Sequence, residues 1–175
     1  YRTKMKTIYL LLIGLALSSC GTMQHIVKSS FPYTTNLVIP NTSEADTEYS
    51  VMSMAKSFDQ NFSRDGNNAY KIGAVRMISA KLQAVIPSDY NIGNIASVRI
   101  FMSTADGKDE VMVASRTDIG PNVGNSLVLD IDNAHFLDEL VRQPGIRVRM
   151  EYKLRKAIAM DVTLHVVLSI SAYPS

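Results

Sequence analysis

Two runs near the end of this 175-residue chain constrain its fold more than anything else in it. Ile146, Val148, Met150, Tyr152 and Leu154 alternate with Arg147, Arg149, Glu151, Lys153 and Arg155. Met160, Val162, Leu164, Val166, Leu168, Ile170 and Ala172 then take every second position of the run that follows. A period of two marks extended strands with one face buried and one in water, where a helix would repeat every 3.6 residues. Two strands sharing a buried face pair residues of matching parity. An odd loop over 155–159 would place Lys153 opposite Asp161 and Arg149 opposite His165, unless a bulge absorbs the extra residue.

The same period runs back through the chain from Phe31. Short extended segments are expected at 36–39, ending at Pro40, and at 47–54. Residues 57–68 are polar and turn-rich. A long strand over 76–86 puts Ile78, Ala80, Leu82, Ala84 and Ile86 on one face, with Met77, Ser79, Lys81 and Gln83 on the other, and Pro87 stops it. The next strand, 97–103, carries Val98, Ile100 and Met102 inward. Asp106-Gly107 supplies the positive-φ pair of a hairpin turn, and 110–115 returns. After a loop with Gly120, Pro121 and Gly124, residues 126–131 alternate again through Leu127, Leu129 and Ile131. One short helix is expected, capped by Asn133, with Asp138 and Glu139 early and Phe136, Leu137, Leu140 and Val141 as its stripe, stopped by Pro144-Gly145. About seven strands, one helix and no βαβ alternation predict a mainly all-β fold, an antiparallel β-sandwich, as a single domain over 31–175.

The N-terminus has a different logic. Arg2, Lys4 and Lys6 precede an apolar run from Ile8 to Leu17, and no acidic residue occurs before position 21. A run of about ten residues suits an export signal and is too short for a membrane span of ~20. Leu17 breaks the small-residue rule of ordinary signal cleavage. Leu17-Ser18-Ser19-Cys20 instead resembles the bacterial lipobox. That resemblance implies a diacylglycerol on the Cys20 thiol, cleavage between Ser19 and Cys20, and acylation of the new amino group. Residues 1–19 then form the signal, Met5 is the more natural start, and 20–30 serve as lipidated Cys and tether. One acyl chain binds a membrane only marginally whereas two or more hold firmly, so a triacylated Cys20 is a lasting anchor. Gly21, Thr22, Met23 and Gln24 are neutral, unlike the acidic residues after the Cys in surface-bound Bacteroidetes lipoproteins. The likeness therefore points to an outer-membrane protein facing the periplasm. The remainder also resembles small β-sandwich lipoproteins of Bacteroidetes-type genomes, notably from Ala114-Ser115-Arg116-Thr117-Asp118-Ile119 to Leu127-Val128-Leu129-Asp130. That family brings no catalytic motif.

Charge then excludes one partner class. Of 18 Lys and Arg, three lie before Cys20, leaving 15 against 16 Asp and Glu. The remainder is nearly neutral, without the basic, aromatic-studded patch of a nucleic-acid binder. Cys20 is the sole cysteine, so no intrachain disulfide is available.

Sequence nominates little chemistry. His25, His135 and His165 are isolated, with no zinc-ligand spacing, and no metal site or cofactor beyond the covalent lipid is expected. Asp106, Asp109 and Glu110, or Asp130, Asp132 and Asn133, miss the calcium-loop pattern and suit turns. No nucleophile elbow or phosphate loop occurs, and the chain is read as a non-enzyme. Arg147, Arg149, Lys153 and Arg155 form the most distinctive face, either for an anionic partner or as a solvated face or charged edge. Tyr33, Tyr49, Tyr70, Tyr90 and Tyr173 lie near loops or strand ends, where they either stack on a ligand or form an ordinary rim. The leading expectation is a membrane-anchored, non-enzymatic interaction or accessory module with an envelope protein partner. The alternatives are a glycan- or small-ligand-binding module, which needs a concave site, and a fimbrial or adhesin subunit, which needs an open edge.

Overall fold

The computed structural model describes residues 29–55 and 72–174. Among these residues there are eight strands: β1 (Ser29–Ile39), β2 (Glu48–Ala55), β3 (Ile72–Ile86), β4 (Ile95–Thr104), β5 (Val111–Arg116), β6 (Ser126–Ile131), β7 (Ile146–Leu154) and β8 (Val162–Pro174). They pair in the order β1-β8-β3-β6-β5-β4-β7-β2, every neighbour antiparallel. The structure is the antiparallel β-sandwich that the period implies. β1, β8, β3 and the first part of β6 form one layer, and β5, β4, β7 and β2 form the other. β6 turns the corner, with 126–129 paired to β3 and Asp130 and Ile131 paired to β5. On the other side the end strands meet, where the Thr35 hydroxyl lies 2.9 Å from the Ser53 hydroxyl and 3.1 Å from the Met54 carbonyl. The core lies between the layers, with Leu37, Leu82, Leu164 and Val166 facing Ile100, Val148, Met150 and Tyr152. Each fully buried aliphatic side chain contributes roughly 1.5–3 kcal/mol.

The two alternating runs are strands with the inward positions expected, but they are not partners. β7 lies between β4 and β2, and β8 lies between β1 and β3, so the two face each other across the core. Lys153 is opposite Glu48 and Ser97, and Arg149 is opposite Met52 and Phe101. His165 is opposite Asn36 and Gln83, and its Nδ1 lies 2.7 Å from Asn36 Oδ1. Parity sets which face a residue takes; it does not choose the neighbouring strand. β7 is also no edge strand, so its charges form a solvated face.

β3 corrects a second expectation. Its pairing with β8 shifts register three times, including once between Met77 and Ser79. Each bulge adds a residue and flips the alternation. Val75 and Met77 therefore point inward before the bulge, and Ala80, Leu82 and Ala84 after it. Ile78 is 40% exposed and Ile86 55%. Ile131 is also exposed, at the point where β6 leaves β3.

The expected helix is a single turn, α1 (Asp138–Val141), preceded by Leu137 with no side-chain cap. Asn133 does not cap it; its carbonyl accepts from Arg76 Nη1 at 3.3 Å. Leu137, Leu140 and Val141 are buried, whereas Phe136 is outside, beneath the Arg76 guanidinium at 4.1 Å. The segment covers the open edge of β3. Leu137 N–H donates to the Val75 carbonyl, and Asp138 accepts from Val75 N–H at 3.1 Å. In the β4–β5 turn only Gly107 of the expected pair has positive φ, at 86°. Gly107 N–H donates to the Thr104 carbonyl and Thr104 N–H to Lys108, the pattern of a three-residue hairpin loop with a glycine bulge. The strand β1 also begins at Ser29, two residues inside the expected tether.

Candidate functional site

Strand direction gives the sandwich two distinct ends. The described chain enters at Ser29, beside the end of β8; the end of β2, the start of β7 and the β4–β5 turn share this end. Loops 40–47, 87–94, 117–125 and 155–161 lie at the opposite end.

That opposite end is held by side chains acting on backbone. Asn91 Oδ1 accepts from Gly93 N–H and Gly124 N–H, and its Nδ2 donates to the Pro121 carbonyl at 2.7 Å. Asn94 Nδ2 donates to the Tyr90 hydroxyl and to the Lys156 carbonyl, each at 3.1 Å. Arg155 Nε donates to the Gly93 carbonyl at 3.1 Å, and its Nη2 donates to the Ile119 carbonyl. Gly93 is required here because a Cβ would fall 2.4 Å from the carbonyl carbon of Pro121. The fourth loop is tied in by Asp161, which accepts from Asn41 N–H at 2.8 Å. Between these loops lies a cleft of about 310 Å³ lined by Asn91, Gly93, Asn94, Pro121, Asn122, Arg155 and Lys156. It contains amides and two cations and no carboxylate. Asn-Ile-Gly-Asn and Gly-Pro-Asn read in sequence only as turn chemistry, and nothing in their spacing shows that the two turns meet.

The Arg face resolves into separate parts. On the outside of the β2–β7–β4 layer, Glu48, Arg99, Glu151, Arg149, Glu110 and Arg147 form a ladder of alternating sign. Its contacts are Arg99–Glu48 at 3.4 Å, Arg99–Glu151 at 3.6 Å, Arg149–Glu151 at 2.8 Å and Arg147–Glu110 at 3.7 Å. Arg149 also grips Glu110 with two nitrogens, Nε at 3.0 Å, and lies 4.3 Å over the Phe101 ring. The hydrogen bonds from Arg149 hold the Glu110 carboxyl below the usual carboxylate range, and those to Glu110 raise the Arg149 guanidinium further. Three Glu neutralise three Arg, so Arg147 and Arg149 present no uncompensated cationic patch. Lys153 stands beside the ladder, opposite Glu48, and Arg155 belongs to the loop cleft.

Among the described residues the tyrosines are not gathered into a platform. Tyr33 is 1% exposed, a core residue with no face for a ligand. Tyr49 is half-buried and stacks on Tyr152 with centroids 6.0 Å apart. Tyr90 is half-buried beside the loop cleft, and burial pushes its hydroxyl pKa up against the lowering effect of Asn94. Tyr173 is at the entry end. Tyr70, Ser19, Cys20, His25 and the turn-rich 57–68 lie outside the described residues.

A second cleft, about 380 Å³, lies at the entry end between the β4–β5 turn and Gln143, Pro144 and Gly145. Asp106 there accepts from Thr104 Oγ1 and from Lys108 N–H, which brings its pKa down to about 2. Asp132 accepts from Ala134 N–H at 2.8 Å. The acidic turns are thus used locally, and no group of three or more His, Cys, Asp or Glu is placed to hold a metal among the described residues. No helix among them is long and apolar enough to cross a membrane.

No protein-family model and no curated protein matches the chain. Among solved structures it is similar to one described under the promiscuous specificity of carbohydrate-binding modules of the β-sandwich superfamily, at 15% identity and a TM-score of 0.28. That likeness covers 85% of this chain and 57% of the other. An arabinose-bound α-L-arabinofuranosidase is similar at 8% identity and a TM-score of 0.31, over 82% of this chain and 23% of that one. The chain thus spans just over half of the first neighbour and under a quarter of the second. At these TM-scores neither likeness carries an argument about what this chain binds.

Proposed function

We propose that the protein is a membrane-tethered, non-enzymatic interaction module of the bacterial envelope, anchored through Cys20 on the periplasmic side of the outer membrane. Its working surface is the loop end opposite Ser29. The observation that carries this reading is the separation of the two ends along the sandwich. A tether entering at Ser29 leaves the braced loops 87–94, 117–125 and 155–161 facing away from the bilayer. Binding surfaces concentrate on loops positioned by a rigid scaffold, and side chains on carbonyls hold these ones in place. The adhesin alternative is less well supported, because the end strands β1 and β2 meet at Thr35 and Met54.

The test is photo-cross-linking in intact cells, with a photoreactive residue at position 122 in one strain and at position 108 in another. The expected result is a discrete adduct with an envelope protein from position 122 and none from position 108. Adducts from position 108 alone would refute the assignment of the working end.

A further inference from the structure

We infer that the loop cleft is a binding site for a small molecule bearing an oxyanion, a carboxylate or a phosphate. This deepens the reading of the loop end as the working surface and rests on it. Three observations carry the inference. Two cationic residues, Arg155 and Lys156, line the cleft, and no carboxylate does. Of the acids in the loops at this end, Asp118 pairs with Arg116 at 3.3 Å and Asp161 accepts from Asn41 N–H, while Glu44, Asp46 and Asp89 lie outside the cleft lining. The positive surplus is thus confined to the cleft lining, and the ladder on the β2–β7–β4 face, where each Arg faces a Glu, has none.

Donor accounting gives the second observation. The amide groups of Asn91 and the Nδ2 of Asn94 are used by the loops themselves. Arg155 commits Nε and one Nη2 hydrogen to carbonyls. Its other guanidinium N–H groups, Lys156 Nζ and the Asn122 side chain are engaged by no described residue. An anchored guanidinium with N–H groups that no described residue engages, beside an exposed ammonium, suits an oxygen anion, because the fork is already oriented before the ligand arrives. Size is the third. About 310 Å³ is at the lower end of the range for small-molecule sites, enough for one sugar ring or a ligand of similar size and too small for an oligomer to be enclosed.

The experiment is an amide chemical-shift titration of the ¹⁵N-labelled full chain in detergent micelles, with glucuronate, inorganic phosphate and glucose as separate probes. Saturable shifts confined to the amides of 91–94, 120–124 and 155–156 with glucuronate or phosphate, and none with glucose, are expected. Shifts with glucuronate alone name the carboxylated sugar as the ligand type, and shifts with phosphate alone name the phosphate. Because Arg155 also braces the loops, the variant to use is Lys156→Glu, which should weaken binding about tenfold. Lys81→Glu, on the exposed face of β3, should leave it unchanged. Equal weakening by both variants would reveal diffuse charge attraction and overturn the site. No shift with either anion would overturn it too, and a chain that still cross-links from position 122 would then keep its interaction end without this cleft.

Discussion

At the scale of single residues, two positions hold most of the meaning. Gly93 is where the 87–94 loop passes against the Gly120-Pro121 backbone, and any Cβ there meets Pro121 at 2.4 Å. Backbone cannot rotate away as a side chain can, so Gly93→Ala should cost about 1–3 kcal/mol in chemical denaturation. Gly120, with open space around its Cβ position, should tolerate the same change better. Glu110 is the second. Its pKa is lowered in the folded state, so its stabilising contribution is complete above the unfolded value near 4.3 and fades as pH falls through the lower folded value. The contact is part-buried and bidentate, and Glu110→Gln should cost about 1 kcal/mol at pH 7. Denaturation curves of the two proteins should converge steadily below about pH 4.3. A constant difference across that range would show that the carboxylate's charge is not what matters.

At the scale of elements, the sequence was informative wherever a strand is regular and silent wherever the chain departs from regularity. β7 shows its whole pattern in its side chains because every second residue is buried without interruption. β3 hides its pattern, since bulges leave no compositional mark: Ile78 is as apolar as Ala80, and only the register with β8 shows which one points out. The ladder was half visible. Arg147, Arg149 and Glu151 share one strand, but Glu48 and Arg99 arrive from two others and Glu110 from the turn before β5. The cleft was less legible still, because Asn91, Pro121 and Arg155 are far apart in the chain and meet only through the fold. The apolar stripe of the short helix implies that it closes the core, and its buried side chains do so, but nothing in the stripe shows that its backbone also covers the edge of β3. That role makes a specific prediction. Asp138→Ala removes the acceptor of Val75 N–H and should raise hydrogen exchange at Val75 at least about tenfold, while Leu164 in β8 stays protected. Unchanged protection at Val75 would mean that the Leu137 contact alone seals the edge.

At the scale of the whole molecule, direction decides which surface works. A sandwich has two ends, and which of them looks outward is decided by where the chain is held. The described chain enters at Ser29, at the opposite end of the sandwich from the loops that Asn91, Asn94 and Arg155 brace. If Cys20 carries lipid, those loops face the envelope space, and the charge-balanced ladder on the β2–β7–β4 face is a soluble flank. If Cys20 carries none, the two ends lose their distinction and the entry-end cleft has an equal claim. The most direct measurement is therefore the mass of the protein isolated from its native membrane. The account predicts a chain beginning at Cys20 with a diacylglyceryl group and an added acyl chain, released from the membrane fraction by Cys20→Ala. An unmodified Cys20, or a membrane-bound chain that keeps residues 1–19, would contradict it.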